Sequence, residues 1–292
     1  HFELNQMIIP HLRTFTGQPL GVATDDALIY RVLSDCGDNS TAMMHIASCM
    51  NSLNNTTQSD ALERLKTLRD LTWTLVATGR NHEGVETGKE AVELCMKSLG
   101  RGDLLTLTSK LNLAAAYRSV GQYQDARKID EEVSDESRKE LGIRHAETLT
   151  AMNCLSQDYI HLGEYKKAQE LGQEILPLCN SVLGPEHPNT LTLMNSLAWS
   201  YNRLGEYEKS RKLNEETLTL RKAVLGPEHP DTLTSMSDLT LDYSLLREYE
   251  KSQKLNEETL ALRKTVLGPE HPDTLASMSN LALDYSDLGE YE

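Results

Sequence analysis

Between residues 189 and 224, apolar residues recur at helical spacing in two adjacent segments. In the first segment they are three or four residues apart, at Leu191, Met194, Leu197, Ala198 and Tyr201. This spacing lies on one face of an amphipathic helix and predicts a helix over about 189–204. Gly205 suits the left-handed turn that ends such a helix. A second apolar series predicts a helix over about 206–224, with contacts from Leu213, Leu218, Leu220, Val224 and Leu225.

This two-helix pattern returns every 42 residues along most of the chain. Leu-Gly occurs at 99–100, 141–142, 183–184, 225–226 and 267–268, and tyrosine at 117, 159, 201, 243 and 285. The last two copies, 206–247 and 248–289, differ at eight positions, and the linker LGPEHPDTL occurs at 225–233 and 267–275. A fixed period of this length is the signature of a repeat architecture. Positions 42 residues apart are called a column below.

One helix pair cannot bury its apolar stripe, whereas stacked pairs bury a continuous core. The period therefore predicts an all-α fold, a right-handed superhelical solenoid of antiparallel helix pairs with 42-residue repeats, over 61–292.

The last repeat is incomplete because Glu292 follows directly after a first helix, and its uncovered apolar face predicts self-association. Residues 1–60 show helical spacing at 25–35 and 41–53. They are predicted to be an N-terminal helical cap or, alternatively, the tail of an upstream domain.

Charge and composition exclude several classes of protein. Lys and Arg total 29 against 44 Asp and Glu, a formal net charge of −15, so neither nucleic acid nor an anionic membrane is an expected partner. No apolar run approaches the ~18 residues of a membrane span. The five cysteines are odd in number and contain no Cys-x-x-Cys pair. This predicts neither disulfides nor structural zinc and indicates a reducing, cytoplasmic location.

The sequence contains no nucleophile elbow, Walker-type phosphate loop or dinucleotide fingerprint. Its recurring histidines are His145, His187, His229 and His271. They belong to different copies, and packed helices lie about 8–10 Å apart, too far for shared metal coordination at about 2.0–2.1 Å. These histidines are therefore predicted to cap the helices that follow them. We expect no catalysis, no cofactor and no metal.

The spacing Leu197-Ala198-x-x-Tyr201-x-x-x-Gly205-x-Tyr207 resembles the tetratricopeptide repeat. The length of the repeat and the sequence of its linker make the chain similar to the kinesin-light-chain type of tetratricopeptide repeat. The amino-acid sequence of the repeats is most similar to arrays at the C-termini of fungal NLR-like signalling ATPases. The resemblance implies a non-catalytic scaffold that binds protein or peptide, as the sensor or partner-recognition array of a larger NLR-like signalling protein. The alternatives are a kinesin-light-chain-like cargo adaptor, an enzyme fragment with its site in the N-terminal third, and a self-associating structural array.

In this family a peptide lies along the inner face of the first helix of each pair. The resemblance therefore implies a peptide groove with eight candidate residues: Arg118, Asn153, Gln157, His161, Asn195, Trp199, Asn202 and Arg203. Asn153 and Asn195 share a column, where a side-chain amide can pair with the N–H and C=O of an extended peptide. Trp199 offers a flat apolar anchor.

Arg118, His161 and Arg203 would form a basic edge of this groove, which favours an acidic peptide or a free carboxylate. Three simpler interpretations stay open. The polar inner positions could be solvated helix surface, Trp199 could pack against its neighbour, and acidic residues on adjacent turns could neutralise the basic edge.

Two columns depart from the family pattern. The middle column of the second helix holds only small or polar residues, namely Gly88, Asp130, Gly172, Asn214 and Asn256. This composition predicts looser or wetter packing between pairs. Arg247 stands where the other copies have a turn glycine. Its turn must therefore close without the residue that most easily adopts the left-handed conformation, at a cost of about 1 kcal/mol.

Overall fold

The computed structural model describes residues 61–289, which form eleven α-helices and, within that range, no β-strand. The chain divides into an N-terminal unit up to Asp158 and a C-terminal unit from Tyr159. The N-terminal unit contains α1 (Ala61–Ala77), α2 (Asn81–Leu99), α3 (Leu104–Ser119) and α4 (Tyr123–Glu140), and the division falls inside α5 (Ala146–His161). The C-terminal unit contains α6 (Tyr165–Val182), α7 (Pro188–Arg203), α8 (Tyr207–Val224), α9 (Pro230–Leu245), α10 (Tyr249–Val266) and α11 (Pro272–Leu288).

Odd-numbered helices are the first members of the predicted pairs, and even-numbered helices are the second. The bounds of α7 and α8 agree with the predicted bounds to within one residue. In the N-terminal unit α1 packs on α2, α2 on α3 and α3 on α4, and in the C-terminal unit each helix from α6 to α10 packs on the helix that follows it. The predicted all-α class and its helix pairs are thus confirmed. The helices predicted at 25–35 and 41–53 lie outside the described residues.

Histidine side chains cap the N-termini of four first helices. The Nδ1 atom of His187 accepts a hydrogen bond from the backbone N–H of Asn189 at 3.1 Å. His145, His229 and His271 accept in the same way at 3.2, 3.1 and 3.2 Å. The first N–H groups of a helix have no partner within the helix, so an acceptor here is worth about 1 kcal/mol. The prediction that these histidines act as caps is confirmed.

The turn between the two helices of a pair requires a left-handed residue. Gly79, Gly121, Gly163 and Gly205 occupy it with φ of 77°, 78°, 76° and 80°. Arg247 takes the same conformation with φ of 62°, the only positive φ of a residue other than glycine between 61 and 289. The turn therefore keeps its geometry although the side chain opposes it, as predicted.

Each unit builds its core from similar contacts repeated along the chain. In the N-terminal unit one cluster consists of Leu107, Leu111, Val133 and Ala151, and in the C-terminal unit one consists of Leu218, Leu233, Met236 and Leu239. All eight side chains are buried. Leu107 and Leu233 belong to the same column, three repeats apart. The columns that predicted helix faces therefore also supply the core.

The middle column of the second helices is closely packed at its two glycines, where the expectation of looser packing is wrong, and the expectation that its polar members are wetter stays a prediction. A Cβ added to Gly172 would lie 3.2 Å from Leu197 Cδ1, and one added to Gly88 would lie 3.1 Å from Leu113 Cδ1. The two glycines thus allow the next first helix to approach closely. The polar members of the column are also buried, because they form hydrogen bonds within the structure, as described next.

Candidate peptide-binding site

Arg118, a member of the predicted basic edge, lies in a buried ion-pair network of the N-terminal unit. Its Nη1 donates to Asp130 Oδ2 at 2.5 Å and to Asp158 Oδ1 at 3.1 Å. Both carboxylates are fully buried. Burial raises the pKa of Asp130 well above its usual range, while the charge of Arg118 opposes this rise. The charge of Arg118 is therefore balanced inside the protein, and a role for it in ligand binding stays a prediction.

The other two candidates of the N-terminal unit lie one turn apart on α5. Asn153 is only 3% exposed, and Gln157 is partly exposed. A side chain as buried as Asn153 cannot reach a peptide unless its surroundings move. Of this pair, Gln157 is the residue that a ligand can contact directly.

In the C-terminal unit, Arg203 stacks on two aromatic rings. Its guanidinium carbon lies 5.3 Å from the centroid of the Tyr165 ring and 5.9 Å from that of Trp199. Cation–π contacts of this length stabilise by about 0.5–1 kcal/mol at exposed sites. His161 and Arg203 are exposed, and Trp199 is partly exposed. Arg203 and Trp199 therefore form a semi-rigid, accessible surface at the end of α7.

Beside this surface is a depression formed by α7, α8 and α9. It is lined by Asn195, Trp199, Asn202, Ser210, Asn214, Asp238, Leu241 and Asp242. It is a shallow surface feature without enclosed room for a water molecule, so a ligand can contact its rim but cannot enter it. Three of its lining residues, Asn195, Trp199 and Asn202, were among the predicted groove residues.

Asp242, which is fully buried, forms a hydrogen-bonded hub at this depression. Its Oδ1 accepts from Asn202 Nδ2 at 2.8 Å, and its Oδ2 accepts from Ser210 Oγ at 3.0 Å and Asn214 Nδ2 at 2.7 Å. Burial raises the pKa of Asp242, and these three donors oppose the rise. Asn202 thus holds the hub together and has its amide nitrogen engaged within the protein.

Asp238 lies one turn before Asp242 on α9 and is partly buried. Burial raises the pKa of Asp238 to about 6, while the charge of Arg221 and a hydrogen bond from Asn195 oppose this rise. The Asn195 amide predicted to bind a peptide backbone therefore already contacts a carboxylate. Asp238, Asp242, Ser210 and Asn214 were not predicted as site residues.

The same hub recurs in the next repeat of the C-terminal unit. Asp284 accepts hydrogen bonds from Ser252 at 2.6 Å, from Ser244 at 3.3 Å and from Asn256. Asp284, Ser252 and Asn256 are buried. The hub is therefore first a packing device of the array, and around Asp242 it adjoins a depression lined by Trp199.

Within the part of the chain that the structure describes, no group of three or more His, Cys, Asp or Glu side chains is placed to hold a metal ion. Among the helices from α1 to α11, none combines the length and the apolar character needed to cross a membrane.

A family profile described as tetratricopeptide repeat matches the chain at 74–139, 103–179, 147–223, 200–265 and 241–292. Together these matches cover more than half of the sequence. The chain therefore belongs to the tetratricopeptide repeat family. No relative was found among curated protein sequences.

Solved structures of similar fold include the nearly identical repeats of a Podosopora anserina protein designated a kinesin light chain, in a form with a single substitution. The sequence of that structure is 27% identical to this chain, and the TM-score is 0.60 over 70% of this chain and 96% of the Podosopora anserina chain. Two further structures are each 16% identical, which shows similarity of fold alone. The quorum sensor NprR from B. thuringiensis has a TM-score of 0.65 over 97% of this chain and 76% of its own. A STAND signal-transduction ATPase with a tetratricopeptide repeat sensor from Pyrococcus horikoshii has a TM-score of 0.64 over 84% of this chain and 34% of the ATPase.

Proposed function

We propose that this chain is a non-catalytic scaffold that binds a peptide segment of a partner protein, with its main contact surface on α7. The observation that carries the proposal is the concentration of Trp199, Arg203 and the adjacent depression on this one helix. Tryptophan and arginine are the residues most enriched at binding hot spots. The same columns of α9 hold Leu241 and Leu245 instead.

Two of the similar structures support the wider role, which is the sensor or partner-recognition array of a larger NLR-like signalling protein. One is the tetratricopeptide repeat sensor of a STAND ATPase, and NprR is known in complex with its cognate peptide NprX. The higher identity with the Podosopora anserina kinesin-light-chain repeats favours a second candidate, a cargo adaptor. Both candidates require the same surface, so one binding experiment tests what they share.

The expected preference for an acidic ligand is proposed only for the edge formed by His161 and Arg203. Arg118 is left out of this proposal because its guanidinium pairs with the buried Asp130 and Asp158. An exposed guanidinium that stacks on aromatic rings keeps its N–H groups directed sideways, where a carboxylate of the ligand can accept from them.

Self-association is a further proposal. Sedimentation velocity over a hundredfold range of protein concentration tests this, and a constant sedimentation coefficient would contradict it.

The test of peptide binding compares two variants built from residues that the chain already uses in neighbouring repeats. A groove variant gives α7 the residues of α9: Asn195→Ser, Trp199→Leu, Asn202→Ser and Arg203→Leu. A control variant gives the exposed face of α8 two residues of α10, Thr219→Ala and Ala223→Thr. All six introduced residues already occupy the same columns in the neighbouring repeat of this chain.

Each protein is immobilised and exposed to a library of blocked decapeptides, and retained peptides are quantified by mass spectrometry. Wild type and control should retain the same peptides, whereas the groove variant should retain about tenfold less, as expected when hot-spot side chains are removed. Equal retention by the groove variant would show that α7 is not the binding surface.

A further inference from the structure

We propose that Tyr165 of α6 is a positioning residue for the peptide site, and that it holds Arg203 of α7 so that the guanidinium binds a carboxylate of the ligand. This inference deepens the function proposed above and rests on it. What it adds is a role for a residue of the preceding helix in selecting one chemical group of the ligand.

The contact between Arg203 and Tyr165 differs from the cation–π contacts that recur along the C-terminal unit. In three successive repeats a lysine ammonium lies 5.4 Å from the ring centroid of a first-helix tyrosine, in the pairs Lys167–Tyr159, Lys209–Tyr201 and Lys251–Tyr243. Each of these lysines also forms an ion pair with a glutamate three residues before it. They are therefore a packing feature of the repeat.

Arg203 lies instead over a tyrosine of a second helix, 5.3 Å from its ring centroid. The next two repeats have Leu245 and Asp287 in the column of Arg203, so the contact does not recur there. A feature that belongs to one repeat is not needed to build the array. It is therefore a candidate for a role in recognition.

Arg203 has no counterion among the residues that the structure describes. Its guanidinium forms neither an ion pair nor a hydrogen bond with any residue between 61 and 289, and its polar neighbours there are the two rings. Arg211, by contrast, pairs with Glu208 and Glu215. The side chain of Arg203 is also exposed. Its N–H groups are thus available to a ligand.

The two rings limit the orientations that this guanidinium can take. Tyr165 belongs to α6 and Trp199 to α7, so Arg203 is held against both helices. An arginine loses rotamer freedom when it binds a ligand, and a side chain that is already held loses less. Removing the ring of Tyr165 frees the guanidinium on one side without changing its charge. The effect is therefore expected on recognition of the group that Arg203 binds.

A carboxylate is the ligand group that matches a held guanidinium. The planar guanidinium donates two parallel N–H bonds to the two oxygens of one carboxylate, a geometry that lysine cannot reproduce. The net charge of −15 repels an acidic peptide at a distance, so a preference for an acidic ligand has to come from a local cation. An acidic side chain and a free C-terminus both supply this group, and the test separates them.

The next repeat provides a matched control. Tyr207 of α8 occupies the column of Tyr165, and Leu245 occupies that of Arg203. Both tyrosines are partly exposed and are the first residues of their helices. Tyr165→Leu and Tyr207→Leu therefore remove the same ring from equivalent positions, but only the first removes it from beside an arginine. Tyr165→Phe keeps the ring.

The experiment uses the 292-residue chain and three pools of acetylated decapeptides without other acidic residues. One pool has a central glutamate and an amidated C-terminus, one a central glutamine and an amidated C-terminus, and one a central glutamine and a free C-terminus. Wild type and Tyr207→Leu should retain a carboxylate pool about tenfold more than the amidated glutamine pool, the effect of one charge-assisted hydrogen bond.

The variants at the site should change this ratio in a graded way. Tyr165→Leu should lower it to about threefold, as expected when a cation–π contact that holds the guanidinium is lost. Tyr165→Phe should keep it near the wild-type value. Arg203→Lys should lower it because the planar fork is lost, and Arg203→Leu should abolish it.

The outcomes separate this inference from the proposed function. An unchanged ratio in Tyr165→Leu, or an equal loss in Tyr207→Leu, would overturn the positioning role. A loss in Tyr165→Phe as large as that in Tyr165→Leu would overturn it too.

Equal retention of all pools by wild type would overturn carboxylate recognition and leave peptide binding intact. A preference for the glutamate pool supports the inference and assigns the carboxylate to a side chain, whereas a preference for the free C-terminus supports it and assigns the carboxylate to the end of the peptide. If wild type retains no pool, peptide binding itself is wrong, and this inference with it.

Discussion

Asn214 on α8 donates its side-chain amide to Asp242 on α9 across 2.7 Å, and the residues in these two columns change together along the chain. Where the first helix of a pair has an acid in the column of Asp242, the second helix of the preceding pair has Asn or Asp in the column of Asn214. Where the first helix has no acid there, the second helix of the preceding pair has glycine. The pairs are Asp130–Asp158, Asn214–Asp242 and Asn256–Asp284 with an acid, and Gly88–Ala116 and Gly172–Ser200 without. Successive helix pairs are therefore joined either by a buried polar hub or by close contact at glycine.

The first prediction is that Asn214 and Asp242 are strongly coupled in stability. Asn214→Ala leaves a buried carboxylate short of a donor, which costs about 1–3 kcal/mol. The same change in an Asp242→Ala background should cost about 1–2 kcal/mol less, because the interaction is already lost. Urea unfolding of the two single variants and the double variant measures this coupling. The exposed pair Lys222–Glu258, 2.9 Å apart, is the control and should show almost none, and additive costs at the buried pair would contradict the hub.

The sequence predicted those features that depend on residues close together in the chain. The bounds of α7 and α8, the capping role of His187 and the left-handed turn at Arg247 all follow from local backbone chemistry. The pairing of Asn214 with Asp242 is a contact between helices 28 residues apart in sequence. Single columns, read one at a time, showed only that the middle column was polar, which suggested loose packing. Comparing pairs of columns would have revealed the hub.

The candidate site was predicted in part for the same reason. Helical periodicity correctly assigned Trp199 and Arg203 to an accessible face of α7. It could not show that Arg118 is neutralised, because Asp130 and Asp158 come from the two following helices. Nor could it show that Asp238 of α9 would contact Asn195 of α7. Periodicity identifies the face of a helix but not what lies opposite to it.

The second prediction concerns pH. Burial raises the pKa of Asp238 to about 6, above the ~3.9 of an unfolded chain. The folded state therefore holds the proton more tightly, so ionisation of Asp238 lowers the free energy of unfolding as pH rises from about 4 to 6. Asp238→Asn should raise that free energy at pH 7 by roughly 1–2 kcal/mol, after allowance for partial solvent exposure. At pH 4 it should change little. Equal effects in urea unfolding at both pH values would contradict this.

The third prediction tests the histidine caps. His229→Ala removes the acceptor that receives the N–H of Asp231 at 3.1 Å and should lower the free energy of unfolding by about 1 kcal/mol. His229→Asn should recover most of this loss, because asparagine is a strong N-cap residue. Urea unfolding gives both values, and His82→Ala at an exposed position inside α2 is the control. A full loss in His229→Asn would show that the imidazole acts through packing rather than through its Nδ1 acceptor.

The fourth prediction concerns the turn between α9 and α10, where Arg247 has a φ of 62°. A left-handed conformation costs an ordinary residue roughly 1–2 kcal/mol, and glycine avoids this cost but loses more conformational entropy on folding. Arg247→Gly should therefore raise the free energy of unfolding by a net ~0.5–1 kcal/mol. The reverse change, Gly205→Arg, should lower it by a similar amount, since an added Cβ there meets no atom within 4 Å and only the backbone is strained. Shifts in the urea midpoint at constant slope measure both effects. If Arg247→Gly leaves the midpoint unchanged, contacts of the arginine side chain offset the strain of its backbone.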